Sequence, residues 1–153
     1  SQDCYVGTDA YLDKLIKSQT VEAKILKYFP VHGKEFVAIA KAESKLKMNV
    51  TGYNCFYNSK AIYKDGELTH ATGTVVYTER VPDSYSTSCK KVDRSYAWSI
   101  DCGILQMNTL EKKCPRETVD AHLQRAADFS RVRGKEAWST YNNGKFEEHL
   151  ANN

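Results

Sequence analysis

A chain of 153 residues, 41% hydrophobic and 27% charged, has the composition of a globular protein and the length of one domain around a single core. Its formal charge of +3 is spread along the chain, with no dense basic block and no nucleic-acid motif. A nucleic-acid partner is therefore excluded, and a weak attraction to anionic surfaces such as a cell wall is all the charge offers. No apolar run reaches membrane-spanning length, which excludes a transmembrane helix.

The first residues, SQDCYVGTDAYLDK, lack the basic and apolar regions of a signal peptide; the numbering begins after processing, or export takes another route. Residues 1–17 carry Tyr11, Leu12, Leu15 and Ile16, the pattern of a short amphipathic helix or an ordered arm, with Cys4 as a tether. Thr20 is the expected N-cap of a helix over Val21–Phe29, with Val21, Ile25, Leu26 and Phe29 on its apolar face. Pro30 ends that helix, and Val31-His32-Gly33 turns the chain. His32 reads as a loop or cap residue, since no second ligand stands at metal spacing.

Glu35 to Met48 (EFVAIAKAESKLKM) predicts the next helix. Phe36, Ile39, Ala40, Glu43 and Leu46 share one face at the i, i+3, i+4, i+7 offsets. Every member of that stripe is apolar except Glu43. A carboxylate on a core-facing stripe is costly unless it is paired, hydrogen-bonded or protonated. Partial burial penalises the charged form, which is how a general acid for neutral pH is made. The alternative is a buried Glu satisfied by a cation or a backbone amide.

Residues 49–59 (NVTGYNCFYNS), rich in Asn, Gly and Tyr, read as loop, and Asn49-Val50-Thr51 matches a glycosylation sequon. Ala61-Ile62-Tyr63 and the run from Thr72 to Val81 predict extended chain on either side of Asp65-Gly66, a hairpin turn signal. Ser84 to Ser99 reads as polar and irregular, anchored by Cys89. Pro115 is the expected first residue of a helix reaching about Phe129, with Val119, Leu123, Ala126 and Ala127 inward. A short helix at Glu136-Ala137-Trp138 breaks at Asn142-Asn143-Gly144, and one more turn follows over Lys145–Leu150. The expected fold class is α+β, mainly helical, in one domain over 1–153 with a β-containing insertion at about 59–100.

The five cysteines, Cys4, Cys55, Cys89, Cys102 and Cys114, form no CxxC pair and no zinc-spaced cluster. Disulfides in an extracytoplasmic compartment are the preferred reading, with scattered free thiols as the alternative. An odd count leaves at least one thiol free or intermolecular.

Three separated stretches are similar to the motifs of one family, the soluble lytic transglycosylases. Glu43-Ser44 closes an AxAxxES pattern that resembles their first motif. Gly103-Ile104-Leu105-Gln106-Met107-Asn108 resembles GLMQIN, and Thr140-Tyr141-Asn142-Asn143-Gly144 resembles AYNAG. The resemblance covers roughly Val31 to Gly144 apart from the insertion. It implies a lysozyme-like fold, from which the chain departs by its long β-hairpin-containing insertion between the catalytic-Glu helix and the GILQ motif. It also implies cleavage of the β-1,4 bond between N-acetylmuramic acid and N-acetylglucosamine in peptidoglycan. Glu43 would protonate the glycosidic oxygen and then assist attack by the muramyl C6 hydroxyl, leaving 1,6-anhydro ends. Ser44 would contact sugar or steady Glu43, Gln106 would contact an N-acetyl or hydroxyl group, Tyr141 would pack beside Glu43, and Asn142 would be a polar contact. No metal or other cofactor is implied, and the partner is a peptidoglycan strand met outside the cytoplasm, in a periplasmic, secreted or virion-associated setting or within a larger envelope assembly.

The chain departs from the family pattern at Asp101, two residues before the Gly of GILQ. One reading is a turn-forming Asp bonded to backbone amides. The other is a second carboxylate that positions water, making the enzyme a hydrolase like the goose-type lysozymes. Asp65, Glu67, Glu79, Asp83 and Asp93 are further candidates for such a group. Tyr53, Phe56, Tyr57, Tyr96 and Trp98 flank the central motifs and are either sugar-stacking or packing residues. A non-catalytic glycan-binding protein is the alternative outside enzymology.

Overall fold

The structure, a computed structural model, describes residues 9–150. Cys4 and the side chains of Leu15 and Ile16 lie outside the described residues. The chain is α+β and divides into two compact units: one contains residues 9–48 and 117–150, the other is Asn49–Arg116.

The first unit is helical. Helix α1 runs unbroken over Asp9–Tyr28, so Thr20 lies inside it and does not begin a new helix. Continuing a formed helix adds one hydrogen bond per residue fixed, whereas restarting one requires a fresh nucleus. Helix α2 is Gly33–Ser44, entered through His32 at φ 62°. It buries Phe36, Val37, Ala38, Ile39 and Ala40, so the expected stripe faces the core as far as Ala40. Lys45 (φ 56°) and Leu46 (φ 63°) are both left-handed and end the helix. Leu46 therefore leaves the stripe. Two successive left-handed non-glycine residues cost about 1–2 kcal/mol each, which the surrounding packing must offset.

Helix α3 is Val119–Arg133, starting four residues later than Pro115 had indicated. Thr118 is its N-cap, accepting from the amide of Ala121 at 3.0 Å. The helix buries His122, Leu123, Ala126 and Ala127. A 3-10 turn at Lys135–Ala137 follows, then α4 (Ser139–Asn142) and α5 (Glu147–Leu150). An aromatic cluster joins these pieces: Phe36 stacks on Phe29 at 4.0 Å and meets Trp138 edge-on at 5.4 Å, and Trp138 meets Phe129 at 5.9 Å. Each such ring pair adds about 0.5–1.5 kcal/mol beyond the apolar area it buries.

The second unit is a four-stranded antiparallel sheet in the order β4-β1-β5-β6, with a separate hairpin. Strand β1 is Thr51–Asn58, β2 Ile62–Lys64, β3 Glu67–His70, β4 Ser84–Ser88, β5 Ser99–Cys102 and β6 Met107–Thr109. The stretch 49–59, expected as loop, thus supplies the central strand. Asn and Gly are poor strand formers in isolation, but β1 is paired on both sides, to β4 over Asn54–Asn58 and to β5 over Thr51–Asn54. Pairing and burial outweigh propensity there.

The Asp65-Gly66 turn is present, with φ 53° and 82°, joining β2 to β3 as its sequence indicated. The run Thr72–Val81 forms no strand. Val75 makes a single bridge to Tyr57, and Tyr77 at φ 55° then turns the chain away. Ser84 to Ser99 is more regular than expected, comprising β4 and a 3-10 helix over Lys91–Tyr96. Disulfides join Cys55 to Cys89 and Cys102 to Cys114. Cys89 is therefore an anchor, tied to the central strand. Among the described residues, no helix is long and apolar enough to cross a membrane.

Candidate functional site

Glu43 sits in the last turn of α2, where the helix face passes from core to surface. It is half-buried. The hydroxyl of Thr140, in α4, donates to Glu43 Oε1 at 3.0 Å. Two of the three motif stretches therefore meet in space within one unit. Thr140 had no assigned role in the sequence reading, although it is the first residue of the third motif. A hydroxyl beside an aromatic reads as generic until its partner is visible.

Ser44 is buried at 4% exposure and donates to the carbonyl of Ala40 at 3.1 Å. Such i to i−4 bonding is common for helical Ser, and it ties the residue after Glu43 to the helix backbone.

Tyr141 lies in α4. Its ring packs on Phe146 with centroids 4.8 Å apart, and Lys135 Nζ is 5.1 Å from the Tyr141 ring centroid. Lys135 donates to Glu35 Oε2 at 2.6 Å, and His32 Nδ1 is 3.4 Å from the other oxygen of Glu35. The hydrogen bond from Lys135 holds the Glu35 carboxyl below its ordinary value, and Glu35 in turn raises Lys135. This ion pair pins the segment carrying Thr140 and Tyr141 to the first turn of α2. Asn142 is exposed and donates to the carbonyl of Glu136 at 2.7 Å, closing the same segment on itself.

In the sheet unit, Asp101 occupies the middle of β5, opposite Gly52 of β1 and Asn108 of β6. It is a strand residue, so the turn-forming reading is corrected. Its oxygens accept from side-chain amides, Asn54 Nδ2 at 3.1 Å and Asn108 Nδ2 at 2.8 Å. The same two amides donate to the hydroxyl of buried Ser99, at 3.0 and 3.1 Å. Asn54, Ser99, Asp101 and Asn108 form one polar row on one sheet face, as alternation along paired strands requires. Asn54 and Asn108 were not singled out in the sequence. The pairing of β1, β5 and β6 is what brings them to Asp101.

Gln106 closes the GILQ turn at φ 48°, after Gly103 at φ 82°. Its amide nitrogen donates to the carbonyls of Val50 at 2.9 Å and Gly103 at 2.8 Å. The nitrogen thereby staples the turn to the start of β1. Gly52 leaves the space beside it: a methyl group there would lie 3.0 Å from Gln106 Oε1 and 3.7 Å from Asp101 Oδ2.

Of the flanking aromatics, Phe56 stacks on Trp98 at 4.8 Å, and buried Tyr57 donates to Asp93 at 2.8 Å. Those three are packing or network residues. Tyr96 is exposed and meets exposed Tyr77 edge-on at 4.5 Å. Among the described residues no cluster of three His, Cys, Asp or Glu could hold a metal ion. The chain matches no protein-family model, no curated protein and no solved structure.

Proposed function

We propose that this chain is a peptidoglycan-cleaving muramidase acting on the β-1,4 bond between N-acetylmuramic acid and N-acetylglucosamine, with Glu43 as its general acid. One observation carries the reading: a half-buried carboxyl at a helix end, held by the Thr140 hydroxyl, joins two stretches that resemble transglycosylase motifs independently. A general acid must be held within hydrogen-bond reach of the proton's destination. A carboxyl steadied by a hydroxyl from a second helix suits that role.

Protonation of the glycosidic oxygen leaves positive charge developing at the muramyl C1. In the transglycosylase route, which the motif resemblance implies, the C6 hydroxyl attacks that carbon while Glu43 accepts its proton. No second carboxylate takes part. A hydrolytic route is the second reading, favoured by the amide-held Asp101 on the sheet face. That route needs a second carboxylate to orient the attacking water, in the usual two-carboxylate scheme.

The experiment is mass spectrometry of muropeptides released from purified peptidoglycan by the wild-type chain, by Glu43→Gln and by Asp101→Asn. Glu43→Gln is expected to lower release by about 100-fold or more. Undiminished release would overturn the role of Glu43. Products with 1,6-anhydro ends, retained in Asp101→Asn, establish the transglycosylase route. Reducing ends that disappear in Asp101→Asn establish the hydrolase. Glycan binding with no release by any of the three proteins would leave a binding module.

A further inference from the structure

The opposite face of the sheet carries a second feature. Tyr53 alternates with Gly52 and Asn54 along β1 and so points away from the Asp101 row. With Arg94, Ser95, Ala97 and Lys112 it lines a pocket of about 340 Å³. The Arg94 guanidinium carbon lies 5.1 Å from the Tyr53 ring centroid, a cation–π contact that steadies the long side chain.

The pocket holds two cations and no acid. Among the described residues, no carboxylate forms an ion pair with Arg94 or Lys112. The neighbouring Asp93 takes the hydroxyl of Tyr57 at 2.8 Å. Both cations stand on segments tied by disulfides. Cys55–Cys89 fixes the chain just before the 3-10 helix that carries Arg94, and Cys102–Cys114 closes the loop that carries Lys112. Like charges gathered in one recess repel, and an anion between them removes that cost. A guanidinium, an ammonium and a hydroxyl match the oxygens of a carboxylate or a phosphate group.

We propose that this pocket binds an oxyanion. Resting on the muramidase reading, that group belongs to the cell wall, as a stem-peptide carboxylate or a wall-polymer phosphate. The Tyr53 ring supplies an apolar floor for the carbon atoms next to the charge.

The test is calorimetric titration of the full chain with three probes: N-acetyl-D-alanyl-D-alanine, its C-terminal amide, and inorganic phosphate. Arg94→Gln and Lys112→Gln are measured beside the wild type. The wild type is expected to bind one or both anions, with the amide at least about tenfold weaker than the acid. Each substitution is expected to weaken anion binding about fivefold or more, as loss of one charge-assisted contact should. Binding of the acid alone assigns a peptide carboxylate, and binding of phosphate alone assigns a wall phosphate. Failure of both anions to bind overturns the proposal, as does equal binding of acid and amide or wild-type affinity in both variants. Lys112→Gln, on an exposed bend, carries the test if Arg94→Gln disturbs folding. Muropeptide release from the same samples keeps the two readings apart. Release without anion binding sinks the pocket alone, whereas anion binding without release sinks the muramidase reading alone.

Discussion

Thr140 Oγ1 donates to Glu43 Oε1 at 3.0 Å, across 97 positions of sequence. The bond joins the last turn of α2 to the first turn of α4. Helix α4 has four residues, and α2 stops at two left-handed residues. The Lys135–Glu35 ion pair and the contact of Trp138 with Phe36 tie the segment leading into α4 to the first turn of α2.

A hydrogen bond to a carboxyl contributes about 1.5–3 kcal/mol. If that energy positions Glu43 for proton transfer, Thr140→Val lowers kcat for muropeptide release about 10- to 100-fold, with KM little changed. Thr140→Ser restores most of the rate because the hydroxyl returns. Equal loss in Val and Ser variants, tracking a fall in melting temperature, would mark Thr140 as a packing residue only.

Acid is expected to destabilise the helical unit in a defined window. His122 is fully buried, with Nδ1 3.1 Å from Glu117 Oε1, and Arg125 donates to the same oxygen at 2.6 Å. Burial pushes the imidazole below its ordinary value of 6.5, outweighing the pull of Glu117 in the other direction. The unfolded chain therefore takes up the proton first. Stability from this site is complete above about pH 6.5 and declines as the pH falls toward the folded value. Burial raises Glu117, but its bonds to Arg125 and His122 outweigh that and leave it below 4.5, so a second loss follows under more acid conditions. Urea unfolding at pH 7.5, 6.5 and 5.5 checks the first step; an unchanged midpoint across that series would show that His122 does not control it.

The two disulfides close loops of different length, with sequence separations of 34 and 12. Loop-closure entropy assigns about 4 kcal/mol to Cys55–Cys89 and about 3 kcal/mol to Cys102–Cys114. The paired variant Cys55→Ala/Cys89→Ala is therefore expected to lose more stability than Cys102→Ala/Cys114→Ala in guanidinium unfolding. The reverse order would mean that contacts formed by the bridges, not chain entropy, dominate. Cys55–Cys89 also joins the central strand to the chain ahead of Arg94, so its removal should weaken anion binding as well.

Much of this molecule is written locally in the chain. The 3.6-residue period of Phe36, Ile39 and Ala40 placed Glu43 on a helix whose core face is real, and Asp65-Gly66 dictated its hairpin, because both signals depend on neighbours within a few residues. The coarse α+β class followed from the same kind of signal. Helix limits were less legible: Thr20 and Pro115 are strong local punctuation, yet α1 runs through the first and α3 starts after the second. Propagation of α1 and the Thr118 cap decided those ends. What tertiary structure alone decided lies where partners are distant in sequence. An Asn- and Gly-rich segment became the central strand because β4 and β5 flank it, and Asp101 became a strand residue held by Asn54 and Asn108 through that same pairing. Thr140 met Glu43 because packing brought α4 to the end of α2. No local pattern encodes such contacts, since their energy arises only after the chain has closed the intervening loops.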